Sequence, residues 1–569
     1  MALPRFLFTS LGPQLKNLIQ GPSTLRLLII GTAQDGPTDG PRQVTIASEF
    51  ERLFGPGNYR DGYLDPNSGT ESGKDSGASL PFYLANAINA GCADIWVQRV
   101  PGTTAAATGF SNSLDFRAIY SGRIYNTVSV TLSKTATTLT WVQAQPSMKG
   151  GSFTTTFSSA FSIGDVFDLV NNDKRNTSLW VERNTFSSVL ANACTTLVSG
   201  TATLAGGTNG CRAVGEDYAT SVTNYATKLV ATDTGTFDVI ENNRFGFDVA
   251  VLTGIWADDQ VNDSGSVTQY SILTDYVYWL DRMSTSVNPC FGVAAVRPPD
   301  LRSQSDIISY INNSLLATSY GYRDQNTRWL NMGAFLYNGW SRTDPQAGAV
   351  DLGGRLVLVA GPQVVYLHPD KGRYPDQAHA SLAAFLTRVA PERAPLNKSI
   401  PGILSFGTPF PAKYCDLLTL GVGYTANSTS SISGKGGYLT FAKSQLNFQG
   451  PLEIFDDPTC AARDQYTRQN QLQRLINVVQ SQIMKELYGF LGEPTDAATL
   501  AAMETKVQNV LEGFVRSGGL AGGRGQGYDF TLTIDGADRL LGSVRVWIEL
   551  SPATAIRRFY ITAEVKKTS

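Results

Sequence analysis

Charge is scarce in this chain of 569 residues: Asp, Glu, Lys and Arg make up 17% of it, and the formal net charge is −2. A broad nucleic-acid-binding surface needs clustered excess Lys and Arg, so none is expected here. Histidine is scarcer still, with His368 and His379 alone and in no H-E-x-x-H arrangement, which argues against a zinc site. The six cysteines, Cys92, Cys194, Cys211, Cys290, Cys415 and Cys460, form no C-x-x-C pair. They read as buried small hydrophobes, not as a disulfide framework or metal ligands. Long apolar runs are missing too. Leu27–Ile30 and Phe247–Leu252 are strand-sized, so membrane insertion is not expected. The N-terminal apolar stretch is broken by Pro4 and Arg5 and has no small-residue cleavage site after it, which points to cytoplasmic synthesis.

Motifs of catalysis and cofactor binding fail on inspection. Ser433–Gly437 (SGKGG) has Thr429 where a phosphate loop needs its first glycine and Gly436 where Ser or Thr holds magnesium. Gly421 and Gly423 begin a loose dinucleotide pattern, but NSTSSISG follows, a loop in place of the helix that would hold pyrophosphate. The acid pairs Asp258/Asp259 and Asp456/Asp457 sit in polar turns, where such pairs are solvated or salt-bridged. No G-x-S-x-G elbow accompanies the histidines. The expectation is no catalytic residue, no metal and no cofactor.

What is abundant is Gly, Ser, Thr and Asn, beside an ordinary 42% of hydrophobic residues. That balance suits a folded protein whose surface is largely covered by other protein. The length suggests roughly three or four structural units. Leu25–Ala33 reads as a strand buried on both faces, followed by a short helix capped by Ser48, a helix over 79–91 and a strand over 93–100. From 101 to about 199 Thr, Ser and Gly mix with alternating apolar residues such as Val128, Val130 and Leu132, the signature of an inserted β-rich domain. The α/β grammar then returns: strands at 247–252, 290–296 and 355–359, and helices at 267–283 and 305–316. The first strand is expected to share a sheet with strands more than two hundred residues later. The stretch 364–450 reads as loop-rich, with one helix over 377–389. Two amphipathic helices follow, 469–491 and 496–514, then Gly518–Gly527 as a flexible connector. Alternation at Tyr528, Phe530, Leu532 and Ile534, and at Val544, Val546, Ile548 and Leu550, predicts an antiparallel pair.

Both ends carry short apolar segments. Phe559, Ile561, Ala563 and Val565 alternate with polar residues, a half-buried strand that needs a sheet edge. Near the other end Phe6 and Phe8 point one way, and a small helix runs from Gly12 to a stop at Gly21. Two readings stand open: the arms pack on their own domain, or they add as strands to a neighbour. Gly21 with Pro22, and Ser551 with Pro552, are candidate hinges or ordinary boundary punctuation. Arg557, Arg558, Lys566 and Lys567 against Glu564 give four minus one, plus three, either steering the last strand onto an acidic edge or protecting that edge from aggregation.

LLIIGTAQDGPTDGPRQVTIASEFERLFG (Leu27–Gly55), ANAINAGCADIWVQRV (Ala85–Val100), LAGGTNG (Leu204–Gly210) and the run from Arg474 to the terminal strands, taken in that order, resemble the contractile tail sheath proteins of bacteriophages and related injection machines. The stretch 301–450 follows the family only loosely. The resemblance implies a multi-domain α/β (α+β) fold with mixed sheets: an N-terminal arm (1–24), a sheath domain (25–100 plus 204–365), an inserted β-rich outer domain (101–203), a C-terminal domain facing the tube (366–552) and a C-terminal arm (553–569). It implies a homo-oligomer of stacked rings around a tail tube protein, bounded by baseplate and tail terminator proteins, in a virion assembled in the host cytoplasm, with arms woven between copies. It places tube contact on the C-terminal helix pair, where Arg468, Gln473, Lys485, Lys506 and Arg516 are the candidates. The alternative is a virion protein that binds or cleaves host glycans, with Trp141 and Trp180 as stacking aromatics.

Overall fold

The computed structural model describes residues 25–55, 80–102, 104–109, 114–146, 149–182, 191–207, 218–255, 260–262, 269–285, 288–295, 322–323, 329–330, 352–359, 364–368, 372–376, 378–395, 398–403, 405–406, 441–443, 452–454, 459, 469–534 and 544–553. Along the chain run the strands β1 (Leu27–Gly31), β2 (Arg42–Gln43), β3 (Ile95–Arg99), β4 (Ala106–Gly109), β5 (Leu114–Ala118), β6 (Ser129–Lys134), β7 (Thr138–Ala144), β8 (Phe153–Ser158), β9 (Leu179–Glu182), β10 (Gly200–Thr203), β11 (Val249–Leu252), β12 (Phe291–Ala295), β13 (Leu356–Val359), β14 (Tyr528–Thr533) and β15 (Arg545–Leu550). The principal helices are α1 (Ala47–Phe54), α2 (Leu80–Asn89), α3 (Ile163–Asn171), α4 (Tyr218–Val230), α5 (Thr236–Asn242), α6 (Leu273–Met283), α7 (His379–Arg388), α8 (Asn470–Leu487) and α9 (Ala497–Arg516).

A six-stranded sheet in the order β13-β12-β11-β1-β3-β2 forms the centre. All its pairings are parallel except that of the edge strand β2. Leu27 pairs with Ile95 on one side and Val249 on the other, so the first strand does join strands from far along the chain. Parallel strands covered on both faces must be apolar throughout. LLIIG, VAVL and LVLV meet that demand, and Leu27, Leu28, Ile29 and Ile30 are all fully buried. One face packs against α2 and α7. Against the other lies α6, whose Tyr276 Oη donates to the Ala250 carbonyl at 3.1 Å and, with Leu280, fills the space a side chain on Gly292 would take.

Open sheets of this kind bind ligands at the carboxyl ends of strands where the order reverses, here between β1 and β11. That crevice is filled. Thr253 Oγ1 donates to the Ile30 carbonyl at 2.7 Å, Tyr225 Oη donates to the Thr253 carbonyl at 2.6 Å, and the Leu80 side chain crowds Gly31.

Residues 104–207 build a separate core. Antiparallel sheets β10-β6-β7-β8 and β4-β5-β9 close around Val130, Leu132, Leu139, Trp141 and Phe157. Helix α3 adds Ile163, Val166, Phe167 and Val170 to it. Strict alternation of buried and half-buried positions along β7 is the period-two pattern of a one-sided strand. Ser162 and Asp165 start α3 with a reciprocal capping box.

A buried charge cluster ties this unit to the central sheet. Asp35, in the loop after β1 and 1% exposed, accepts from the Tyr125 hydroxyl and pairs with the Lys149 ammonium. Arg99, at the end of β3 and fully buried, donates to the Ala33 and Gly36 carbonyls at 3.1 and 2.8 Å and reaches the Ser121 carbonyl at 2.5 Å. Burial pushes the Lys149 ammonium down to about 8 and the Tyr125 phenol well up. Such a site holds charge in a poorly screened environment.

Several boundaries differ from the sequence reading. Ser48 lies inside α1 and does not cap it; Ile46 holds the cap position, and Thr45 donates through both N–H and hydroxyl to Glu49 at 3.1 Å. The helix expected from 267 begins at Leu273, because Gln269–Ser271 pairs with Gln260–Asn262. The stretch after 364 holds a hairpin, Val364–His368 with Gly372–Asp376, beside its helix. That helix, α7, belongs to the core of the central sheet and not to the C-terminal unit, since Leu382, Ala383 and Leu386 are fully buried against it. The expected helix 305–316 lies outside the described residues.

Removing one partner of a buried ion pair leaves an uncompensated charge. Asp35→Ala is therefore expected to cost about 3–5 kcal/mol of stability, whereas Asp39→Ala, whose Arg42 pair is exposed, stays within about 0.5 kcal/mol. Urea denaturation of the two variants side by side checks this, and equal midpoints reject the cluster as a structural joint.

Candidate assembly interface

The C-terminal part of the chain is built as a helix pair carrying a hairpin. Leu475, Val479 and Ile483 of α8 interdigitate with Val507, Val510, Leu511 and Phe514 of α9. Asp496 caps α9 by accepting from the Thr499 N–H at 2.8 Å. Tyr528, Phe530 and Leu532 of β14, with Val546, Ile548 and Leu550 of β15, lay one face of the hairpin on this core. The register runs antiparallel from Tyr528↔Leu550 to Thr533↔Arg545, the pairing that alternation predicts. The opposite face is polar apart from Trp547, 70% exposed beside Thr531.

Gly518–Gly527 is not a flexible connector. Gly518 closes α9 at φ 78°, Gly527 N–H donates to the Gly523 carbonyl at 2.8 Å, and Ala521 N–H donates to the Ser551 carbonyl at 2.9 Å. Glycine is required because the turn leaves no room: a side chain on Gly527 would strike the Gly522 backbone. Tyr528 Oη donates to Glu512 Oε1 at 2.6 Å, tying the hairpin to α9.

The helix pair meets the central core through Arg474, 1% exposed on α8. Its guanidinium donates to the carbonyls of Leu386, Val389 and Arg393 at 3.0, 2.7 and 2.9 Å, and to Asn470 Oδ1 at 3.0 Å. The first two carbonyls lie at the C-terminal end of α7, where the helix leaves acceptors unpaired and its dipole favours a cation. A charged residue between the buried Leu472 and Leu475 is the sequence signal for this contact.

Among solved structures, a sheath tail protein from Listeria innocua superposes with a TM-score of 0.51 at 11% sequence identity, over 95% of each chain. The chain has the fold of a sheath tail protein. A sheath tail protein from Desulfitobacterium hafniense aligns over 94% of both chains at 11% identity with a TM-score of 0.48. The helical sheath of the anti-feeding prophage in its contracted state aligns over 100% of both chains, at 11% and 0.44. No protein-family model matches the sequence, and no curated protein does.

On this sheath fold the predicted site residues scatter. Phe6, Phe8, Gly21, Pro22, Arg468, Arg557, Arg558, Phe559, Ile561 and Val565 lie outside the described residues. Gln473 is half-buried, donates to Asn477 Oδ1 at 2.9 Å and stands beside Gly354, at the foot of the central sheet. Lys485 is close enough to Asp248 to work against the burial that raises that carboxyl. Lys506 bridges the helix pair to Glu486 at 2.9 Å, and Arg516 donates to the Glu512 carbonyl at 3.3 Å. Gln473 and Lys485 therefore sit toward the central sheet, and Lys506 and Arg516 on the helix pair itself. The backbone at Ser551 and Pro552 is held: Ser551 N–H donates to the Gly527 carbonyl at 2.8 Å and Ala553 N–H to the Gly519 carbonyl at 2.9 Å.

Among the described residues no group of three or more His, Cys, Asp or Glu side chains is placed to hold a metal ion, and no helix is long and apolar enough to cross a membrane. His379 is a core residue, its ring 5.1 Å from that of Tyr83. Cys194 and Cys290 are buried as expected, and Cys92 is half-buried, accepting from Thr387 Oγ1 at 3.1 Å. Cys211, Cys415 and Cys460, and both acid pairs, fall outside the described residues.

Arg474→Met removes the donors from three main-chain carbonyls, two of them at the end of α7, and is expected to cost about 2–5 kcal/mol, read from the urea midpoint; a change below about 0.5 kcal/mol rejects the joint. A second expectation concerns pH. Burial first, and the Glu512 carboxylate after it, push the Tyr528 phenol from its usual 10 up to about 12. The fold holds the neutral phenol, so this contribution is complete below pH 10 and is lost as pH rises toward 12. The stability gap between the parent chain and Tyr528→Phe should narrow across that window; a constant gap contradicts it.

Proposed function

We propose that the chain is the structural subunit of a contractile tail sheath, which polymerises as stacked rings around a tail tube and drives it through a host envelope by contracting. The observation that carries this is the hairpin of β14 and β15: two strands, anchored on one face to the helix pair, with no further strand paired to either outer edge among the described residues. Free edges are templates for strand addition. The alternating segments at Phe6 and Phe8 and at Phe559, Ile561 and Val565 are the strands this reading brings to them from neighbouring copies. Support comes from the sheath fold of the chain as a whole.

In this reading residues 25–100 with 204–365 form the sheath domain, joined by α7; residues 101–203 form the outer insertion, and the chain from α8 onward the unit nearest the tube. Gly21 and Pro22 are the N-terminal pivot. Ser551 and Pro552 are the C-terminal pivot, where the described backbone is held by the glycine turn. Tube, baseplate and terminator proteins are the partners, the particle is a virion assembled in the host cytoplasm, and no catalysis is involved. The work of contraction comes from a difference between two packings of the same subunits, on the order of a few kcal/mol per copy, with the extended packing kinetically trapped. A glycan-binding reading loses one of its two aromatics, since Trp141 is fully buried in the core of the insertion.

Electron microscopy of the purified chain should show tubes or stacked rings, and deletion of residues 556–569 should abolish long polymers in sedimentation. A discrete oligomer from the full chain, or polymers of normal length from the deletion variant, refutes the proposal.

A further inference from the structure

The two edges of the hairpin differ. Ser551 N–H donates to the Gly527 carbonyl at 2.8 Å, which places Gly527, Asp529, Thr531 and Thr533 in the hydrogen-bonded positions of the ladder. Tyr528, Phe530 and Leu532 therefore turn their N–H and C=O groups outward. Two of these residues already have partners. The Tyr528 carbonyl accepts from Gly525 N–H at 2.7 Å, the Phe530 N–H donates to Asp529 Oδ1 at 2.8 Å, and the Phe530 carbonyl accepts from Arg524 Nη2 at 3.3 Å. Arg524 is locked to the same carboxylate, Nε to Asp529 Oδ1 at 3.3 Å, and its guanidinium lies 4.5 Å over the Phe530 ring. On β15 no described side chain occupies the outward groups of Val546 or Ile548.

Resting on the sheath reading above, we infer that Arg524 is a removable guard on the β14 edge. With Asp529 it occupies the backbone groups of Phe530 that a strand from a second copy needs, and it must swing away before that edge accepts one. The geometry fits a guard and not a permanent cap. Both side chains are about half exposed, so water can replace what they give up. The contact spans five residues and lies on the outside of the core, over the Phe530 ring. Arg524 also rides on the glycine turn, where Gly525 adopts φ 83° and a side chain there would meet nothing, so the guanidinium can leave without moving a packed residue. Charged side chains at an edge are the usual defence of a sheet against pairing with the wrong chain. In a subunit that has to remain monomeric until it reaches the growing end of a polymer, the same defence sets the order of events: β15 accepts a strand freely, and β14 accepts one that displaces Arg524.

The test uses the full-length chain with Arg524→Ala and Arg524→Lys. In hydrogen–deuterium exchange of the unpolymerised protein, the Phe530 amide, whose Asp529 acceptor is no longer held in place once Arg524 is removed, should exchange about tenfold faster in Arg524→Ala, with the Lys variant between. Light scattering should show the polymerisation lag shortened by a similar factor. Unchanged exchange overturns the guard whether or not the protein polymerises, and so does an unchanged lag in protein that does polymerise. A parent chain that never polymerises overturns the sheath reading, while faster exchange in Arg524→Ala would still show the edge to be guarded.

Discussion

Arg474 is the point at which the helix pair and the central sheet become one body. Its side chain leaves α8, crosses into the core and takes up carbonyls that α7 cannot satisfy for itself. An apolar contact at this place would hold the two parts together without fixing their angle, since dispersion and solvent exclusion have no direction. Three hydrogen bonds from one planar guanidinium do fix it. The Asp35 cluster does the same at the loop after β1, where the insertion joins. Three cores, each apolar inside, are thus connected by joints that are polar, buried and directional.

Polar joints suit a subunit that transmits force. Buried ion pairs contribute less to net stability than well-packed hydrophobic groups of the same size, because desolvation consumes much of the attraction. What they supply is a single geometry whose rupture is costly. In the proposed lattice the subunit rotates as a unit while the strands passed to its neighbours bend, and this requires the inside of the subunit to be stiffer than its connections. Arg474 and Asp35 are buried; Arg524 and Asp529 are exposed. The distribution of water around the charges separates what is fixed from what can move.

Much of the fold was legible because its cause is local. LLIIG reads as a doubly covered strand and LVLV as a strand, and the alternation from Tyr528 and from Val544 yields the antiparallel pair. The helix pair follows from its apolar stripes. What failed to show was set by distance. Asp35 and Lys149 each look like an ordinary polar residue in a turn, and only the folded topology brings them together. Helix α7 reads as part of the C-terminal unit because it lies in a loop-rich stretch, yet the sheet needs a cover for β11 and β12, and α7 supplies it. The glycine run misled for a physical reason: glycine permits flexibility, but here it permits close approach, and Gly527 packed on Gly522 is rigid. Of the site, the edge of the hairpin was visible in the alternation, whereas Arg524 was not, since a side chain bonding to backbone groups leaves no periodic trace.

The relation between fold and sequence in this chain follows from the same physics. A connection made by adding one strand to another is carried by main-chain hydrogen bonds, which every residue except proline can make. Its demands are an open edge, a register and a chain that can reach, none of which specifies particular side chains. The central sheet is equally permissive, because any apolar residues of about the right volume fill it. If copies are joined as proposed, both devices tolerate wide changes of sequence at constant geometry, and a sheath tail protein shares this fold at 11% identity over 95% of the length. The positions under chemical constraint are then the few where direction matters, a guanidinium on three main-chain carbonyls and a carboxylate between a phenol and an ammonium.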